Sequence, residues 1–303
     1  MGQTCCYGPL DQSVSDLRTL FYVSKDAVEI VALDLQSQTA QRLYTWDYLI
    51  KPEAKYCALH NGKLLITGGR GAPEVLLPMK SLFQSAADVI EYCPVSYRLT
   101  MKEKMKVGRQ GHTMLCDSEA AYALSGFSDQ KGNKSCERYG LESEAWETLA
   151  DLNAVRIEAA GCVLKTRMYV VGGLSQLGLK AQVSVESYDF VLSRWLSLDL
   201  KLPSSLEKHA CVPYLNGILV FGGYHPDDRP NQAAFWLSLV ENRVMQKPGL
   251  NFEGQFTGQV VVSEARIYAY ESKAGRRLFI YEDGLWTVNL VKVTNLGRDT
   301  SNY

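Results

Sequence analysis

Four histidines, eight cysteines and a handful of loop-like charges are the groups in this 303-residue chain that could do chemistry. His60, His112, His209 and His225 fall in no HxH, HExxH or Cys/His spacing that would hold zinc. The cysteines, at 5, 6, 57, 93, 116, 136, 162 and 211, form no CxxC pair. Most sit in apolar runs such as YCAL and GCVL, which reads as buried reduced thiols rather than a disulfide framework or metal ligands. HPDDRP, at 225–230, gathers two carboxylates that could take up a cation, but Pro and Asp are ordinary turn residues and a solvated turn is the plainer reading. GRGAP, at 69–73, offers glycine amides to a phosphate without the rest of a P-loop. With no GxSxG elbow and no GxGxxG after a strand, the chain is expected to have no catalytic residue, no metal and no cofactor.

The N-terminus carries another kind of chemistry. In MGQTCC, Gly2 is an acceptor for myristoylation and Cys5 and Cys6 are acceptors for palmitoylation, the two signals that stable anchoring needs. The pattern is imperfect, since Cys6 stands where Ser or Thr is preferred and no polybasic cluster follows; an ordinary short tail is the alternative. Lys plus Arg is 32 against 33 for Asp plus Glu, with no long block of one sign, which argues against nucleic acid as a partner. No run is apolar enough to span a bilayer and no secretory segment opens the chain, so the body is expected in the cytoplasm, with membrane association through an acylated N-terminus, or association with the cytoskeleton, as an added expectation.

The elements that must position these groups repeat. Around Met168–Trp195 the sequence reads as a β-branched strand, a Gly-Gly stop, a loop, an alternating strand from Val183 to Tyr188, a turn, and a third strand entered at Trp195. With the second glycine as mark, the pattern recurs at Gly69, Gly126, Gly173 and Gly223, at intervals of 57, 47 and 50 residues. The first glycine of the pair is kept as Gly68, Gly172 and Gly222. Degenerate copies end at Ser24 and Tyr270, making six units. The strand after each loop carries Tyr92, Tyr139, Tyr188, Trp236 or Tyr281, and the next opens near Trp46, Tyr97, Trp146, Trp195 or Trp286. His112 and His209 stand fourteen residues before their marks, and Arg109 and Arg156 seventeen. Aromatics recurring at one register suit a stack of radial sheets.

Strand, Gly-Gly, loop, Tyr-Asp, about six residues and Trp resembles the kelch repeat, over nearly the whole chain from about Asp11 to Leu290. The resemblance implies an all-β fold: a six-bladed β-propeller of four-stranded antiparallel blades at 11–293, between a short N-terminal tail (1–10) and a C-terminal tail (294–303). The first unit lacks a clear innermost strand, so closure is expected to borrow one, with Val288–Val293 or the segment near Val14 as candidates. Almost all of these residues are consumed by blades, so neither a BTB nor an F-box segment is expected among them. By resemblance, loops before the inner strand and after the glycine pair share one face that grips a peptide. This places Arg70, Arg109, Asp129, Arg156, Gln176, His225, Asp227, Arg229 and Lys273 around one mouth, with Arg109 and Arg156 free to fork onto a partner carboxylate or paired with acidic neighbours instead. The expected function is a monomeric, non-enzymatic scaffold for a partner protein; the alternative is an enzyme acting on a small molecule such as a sugar in the central pocket.

Overall fold

The computed structural model describes residues 5–6, 19–23, 29–45, 49–71, 84–129, 131–175, 181–249, 260–263, 266–271 and 277–295. Among these residues there is no helix, and therefore none long and apolar enough to cross a membrane. Six four-stranded sheets follow one another. In blade 4 the order from inside outward is Ala160–Leu164, Arg167–Val171, Ser184–Asp189 and Arg194–Lys201, each antiparallel to the last. Blade 2 (Lys55–Ala58 to Arg98–Met101), blade 3 (Thr113–Cys116 to Trp146–Leu149), blade 5 (Ala210–Tyr214 to Arg243–Lys247) and blade 6 (Val260–Ser263 to Leu285–Leu290) repeat the plan. Buried apolar clusters fill the seam between every neighbouring pair, blade 6 against blade 1 included, so the ring is closed.

Closure differs from expectation in position. Blade 1 is Thr19–Val23, Glu29–Asp34 and Thr39–Thr45, and its fourth strand is Lys292–Asn295, parallel to Thr39–Thr45 on the outer edge rather than the inner one. The strand takes in Val293 and two residues assigned to the tail, whereas the segment near Val14 lies outside the described residues. The N-terminal tail is also partly drawn in. Cys5–Cys6 is a short strand parallel both to Val260–Ser263 of blade 6 and to Thr113–Cys116 of blade 3, pairing Cys5 with Val260 and Cys6 with Val261 and Cys116. Those are inner strands three blades apart, so the pair runs inside the ring.

The repeated residues act at the seams. Tyr139–Trp146, Tyr188–Trp195 and Tyr281–Trp286 are directly opposed across strands, with ring centroids 5.2, 5.2 and 4.8 Å apart. Each indole N–H donates to a carbonyl of the connector from the preceding blade: Trp146 to Glu103 (2.9 Å), Trp195 to Ala150 (3.0 Å) and Trp286 to Pro248 (3.1 Å). An aromatic at this register therefore fills the wedge and bonds across it. Trp46, its counterpart in the first unit, lies outside the described residues.

Glycine is required at the mark for two reasons. Gly172 and Gly173 have φ of +65° and +84°, and a Cβ on Gly172 would stand 2.9 Å from both the Leu206 carbonyl oxygen and His209 Cε1 of blade 5. The first glycine is the floor on which the next blade's histidine packs: Gly68 lies under His112 as Gly172 lies under His209. Where that position is Ser125, the next blade carries Ala159 in place of histidine.

Candidate functional site

The chain enters the inner strands of blades 3, 4 and 5 through one residue each in the left-handed region: Gly111 (φ +59°), Glu158 (φ +54°) and Lys208 (φ +53°). Their backbones are linked, the Glu158 N–H donating to the Gly111 carbonyl (2.7 Å) and the Lys208 N–H to the Glu158 carbonyl (2.9 Å). This forms an arc around the mouth of the channel. A non-glycine residue in that conformation is strained, and the two that accept it here are charged. Lys55, from blade 2, donates to Glu158 Oε2 at 2.8 Å and is almost fully buried. Burial pushes the Glu158 carboxyl up, but Lys55 and its hydrogen bond outweigh it and hold the group well below the usual carboxylate range. Glu207, buried beside it with Lys208 3.6 Å away, is raised, mainly by burial.

Arg109 and Arg156 do not reach the mouth. They are 0% and 1% exposed and point into their own blades. Arg109 donates to the carbonyls of Ser125 (2.9 Å) and Ser135 (2.7 Å), the Ser135 hydroxyl (2.9 Å) and Glu137 Oε1 (2.6 Å). Arg156 does the same one blade on, to Gly172 O (2.8 Å), Ser184 O (3.0 Å), Ser184 Oγ (2.7 Å) and Glu186 Oε1 (2.9 Å). Both carboxylates accept further backbone N–H bonds, Glu137 from Lys106 and Val107, Glu186 from Asn153 and Ala154. Neither arginine therefore presents its guanidinium to a binding face: both are engaged inside their blades, although Arg109 Nε is left without a hydrogen bond, and a guanidinium at this depth requires its carboxylate. The readable signal is the acidic residue two places before the repeat tyrosine, Glu137 before Tyr139 and Glu186 before Tyr188.

The remaining face residues separate. Arg70 is half exposed and paired with Glu53 at 2.7 Å; Asp129 is exposed with φ of +43°. His225, Asp227 and Arg229 belong to one self-contained turn, in which the Asp228 N–H donates to His225 O, the His225 N–H to Arg229 O, and Arg229 Nε to Asp227 Oδ2 at 2.6 Å. Gln176 and Lys273 lie outside the described residues, as does Gly2; of Cys5 and Cys6 only the backbone is described. The GRGAP loop does not form a phosphate nest, because the amides of Gly69, Arg70 and Gly71 donate to Arg109, Pro52 and Gln84 carbonyls.

His112 and His209 are core residues. Thr67 Oγ1 lies 2.9 Å from His112 Nε2. Burial, helped by Arg109 and Lys55, holds His112 well below its ordinary value, and burial brings His209 down to about 4. Among the described residues no three His, Cys, Asp or Glu side chains gather closely enough to hold a metal ion. The described cysteine side chains are buried except Cys93, and Cys162 and Cys211, on neighbouring inner strands, have sulfurs 3.8 Å apart.

Six four-stranded blades, glycine-marked second strands and tyrosine–tryptophan seams make this chain a six-bladed β-propeller, an architecture consistent with the kelch-repeat family. Its sequence is similar to Kelch-like protein 26 of Danio rerio, 28% identical over 158 residues, 50% of this chain and 24% of that protein. It is similar also to Kelch-like protein 23 of Homo sapiens, 31% identical over 80 residues, 26% of this chain and 14% of that one. The matches thus span about a quarter or less of these relatives' length. No family model matches. Among solved structures, that of YjhT superposes with a TM-score of 0.74 at 15% identity, covering 90% of this chain and 95% of the other, a likeness of fold.

Proposed function

We propose that this chain is a non-enzymatic interaction scaffold that binds a partner protein or peptide at the loop face, through Arg70, Asp129, His225, Asp227 and Arg229, with Gln176 and Lys273 added to the set by their place in the repeat alone. The observation that carries this reading is a division of charge. Inner ionisable groups are consumed in internal pairs, Arg109 with Glu137, Arg156 with Glu186 and Lys55 with Glu158, while outer loops hold their charges in solvent, Arg229 at 74% and Asp227 at 55% exposure. Cys5–Cys6 inside the ring also leaves less room for a substrate pocket there. The propeller works as a monomer in the cytoplasm, and acylation at Gly2, Cys5 and Cys6 supplies its membrane attachment.

Selection of a displayed random-peptide library on the purified propeller tests the binding reading. Charge reversal at Arg70 and Arg229 together should weaken the selected peptides by about tenfold or more, roughly 1.4 kcal/mol, without moving the melting temperature. Selected peptides indifferent to both reversals would remove this face from consideration.

A further inference from the structure

Two of the three proposed acyl acceptors are also the residues that form the channel strand. Cys5–Cys6 has partners on both edges, Val260–Ser263 on one and Thr113–Cys116 on the other. Both partner strands are innermost in their blades, and Val260, Val261 and Thr113–Cys116 are buried. A backbone held between opposed inner strands leaves no path for a long acyl chain or for the active site of a transferase. Acyl transfer needs such access: a cysteine thiolate attacks the thioester carbonyl of an acyl-coenzyme A, the bond from that carbon to the coenzyme sulfur breaks, and coenzyme A leaves as its thiol with the displaced proton.

From this placement we propose that insertion of Cys5–Cys6 into the central channel withholds both residues from acylation, so the ring's occupancy governs whether the chain acquires its lipids. The proposal rests on the reading of Cys5 and Cys6 as acceptors. Release is sterically simple. The twelve residues between Cys6 and Thr19 can span up to roughly 40 Å when extended, so the pair can leave without drawing Thr19–Val23 from blade 1. Release is also energetically accessible, because a two-residue strand contributes few contacts and belongs to the part of a fold that opens locally. The occupant is this chain's own segment, and the recognition is main-chain pairing, the strand-addition mode of peptide binding.

The experiment is pulsed labelling of the full chain with N-ethylmaleimide, read residue by residue by mass spectrometry. Cys93 is the internal standard, being partly exposed, with hydrogen bonds from Ser96 that hold its thiol below the ordinary value. In the folded chain Cys5 and Cys6 should label at least about tenfold more slowly than Cys93, and the difference should vanish in denaturant. Cys6→Pro, which removes one backbone donor and restricts the segment, should bring Cys5 up to the rate of Cys93. Incubation with palmitoyl-coenzyme A should then modify Cys5 in the Cys6→Pro chain and spare Cys5 and Cys6 in the native one. Labelling of the native pair as fast as Cys93, or equal palmitate transfer to both chains, overturns the proposal. Protection in the native chain with no transfer to Cys5 in the released one overturns the acceptor reading instead, which separates the two failures.

Discussion

In blade 4 the carbonyls of Gly172 and Ser184 are bridged by the guanidinium of Arg156, which arrives from the connector before the blade. In blade 5 the equivalent carbonyls, of Gly222 and Ala233, are bridged at 3.0 and 2.9 Å by the side-chain amide of Asn231, from the loop within the blade. The arginine binds its connector to the blade and needs Glu186 to neutralise it; the asparagine does a local job and needs no counter-ion. A charged residue at a recurrent register is therefore a staple in blades 3 and 4. Its absence from blade 5 marks a different solution of the same hydrogen-bonding problem rather than a lost function.

The comparison is most directly broken by removing the counter-ion. Glu186→Ala leaves a buried guanidinium without its carboxylate, and the expected loss is about 3–5 kcal/mol in denaturant unfolding, with Glu137→Ala similar in blade 3. A loss below about 1 kcal/mol would mean that the arginine finds water or another partner. Acid should act next, through the seam between the two blades. His209 binds its proton near pH 4 in the folded chain and near 6.5 when unfolded, so the unfolded state takes up more protons between those values. Stability is thus complete above about pH 6.5 and falls as pH drops toward 4, by roughly 3 kcal/mol from this residue. The His209→Ala chain should show a flatter melting-temperature profile over that interval. Gly172→Ala should cost about 2 kcal/mol, from its φ of +65° and the crowding against Leu206 and His209, and part of that should return in the His209→Ala background. The smallest effect belongs to blade 5. Asn231→Ala should cost about 1 kcal/mol, a neutral hydrogen-bonded amide, and a loss as large as that of Glu186→Ala would erase the distinction.

Much of the architecture is legible in the sequence because each repeated residue has a job that only its type can do. Gly173 and Gly223 mark a left-handed backbone, and Trp146, Trp195 and Trp286 supply both bulk and an N–H at the seam. Blade number and strand order follow from those positions. The depth of Arg109 and Arg156 does not, because spacing along the chain places a residue on a connector without saying whether its side chain turns outward to solvent or inward. Only the pairing of that arginine with an acidic residue in the third strand decides it, and the two lie 28 and 30 residues apart. The position of the strand at 292–295 is illegible for a related reason. Lys292–Asn295 pairs with residues more than 250 positions away, and short segments carry no mark of which edge of a distant sheet they complete.

That terminal strand has a kinetic consequence. A chain of blades with open ends could form unit by unit, each gaining from its neighbour alone. Here blade 1 acquires its fourth strand only when residues 292–295 exist, so the first blade to leave the ribosome is the last to be finished, and its outer edge waits through synthesis of nearly everything else. Removal of residues 292–303 should accordingly cost more than the contacts of four residues: it unties blade 1 from the segment that follows blade 6, and the unfolding transition followed by circular dichroism should become broader and fraying.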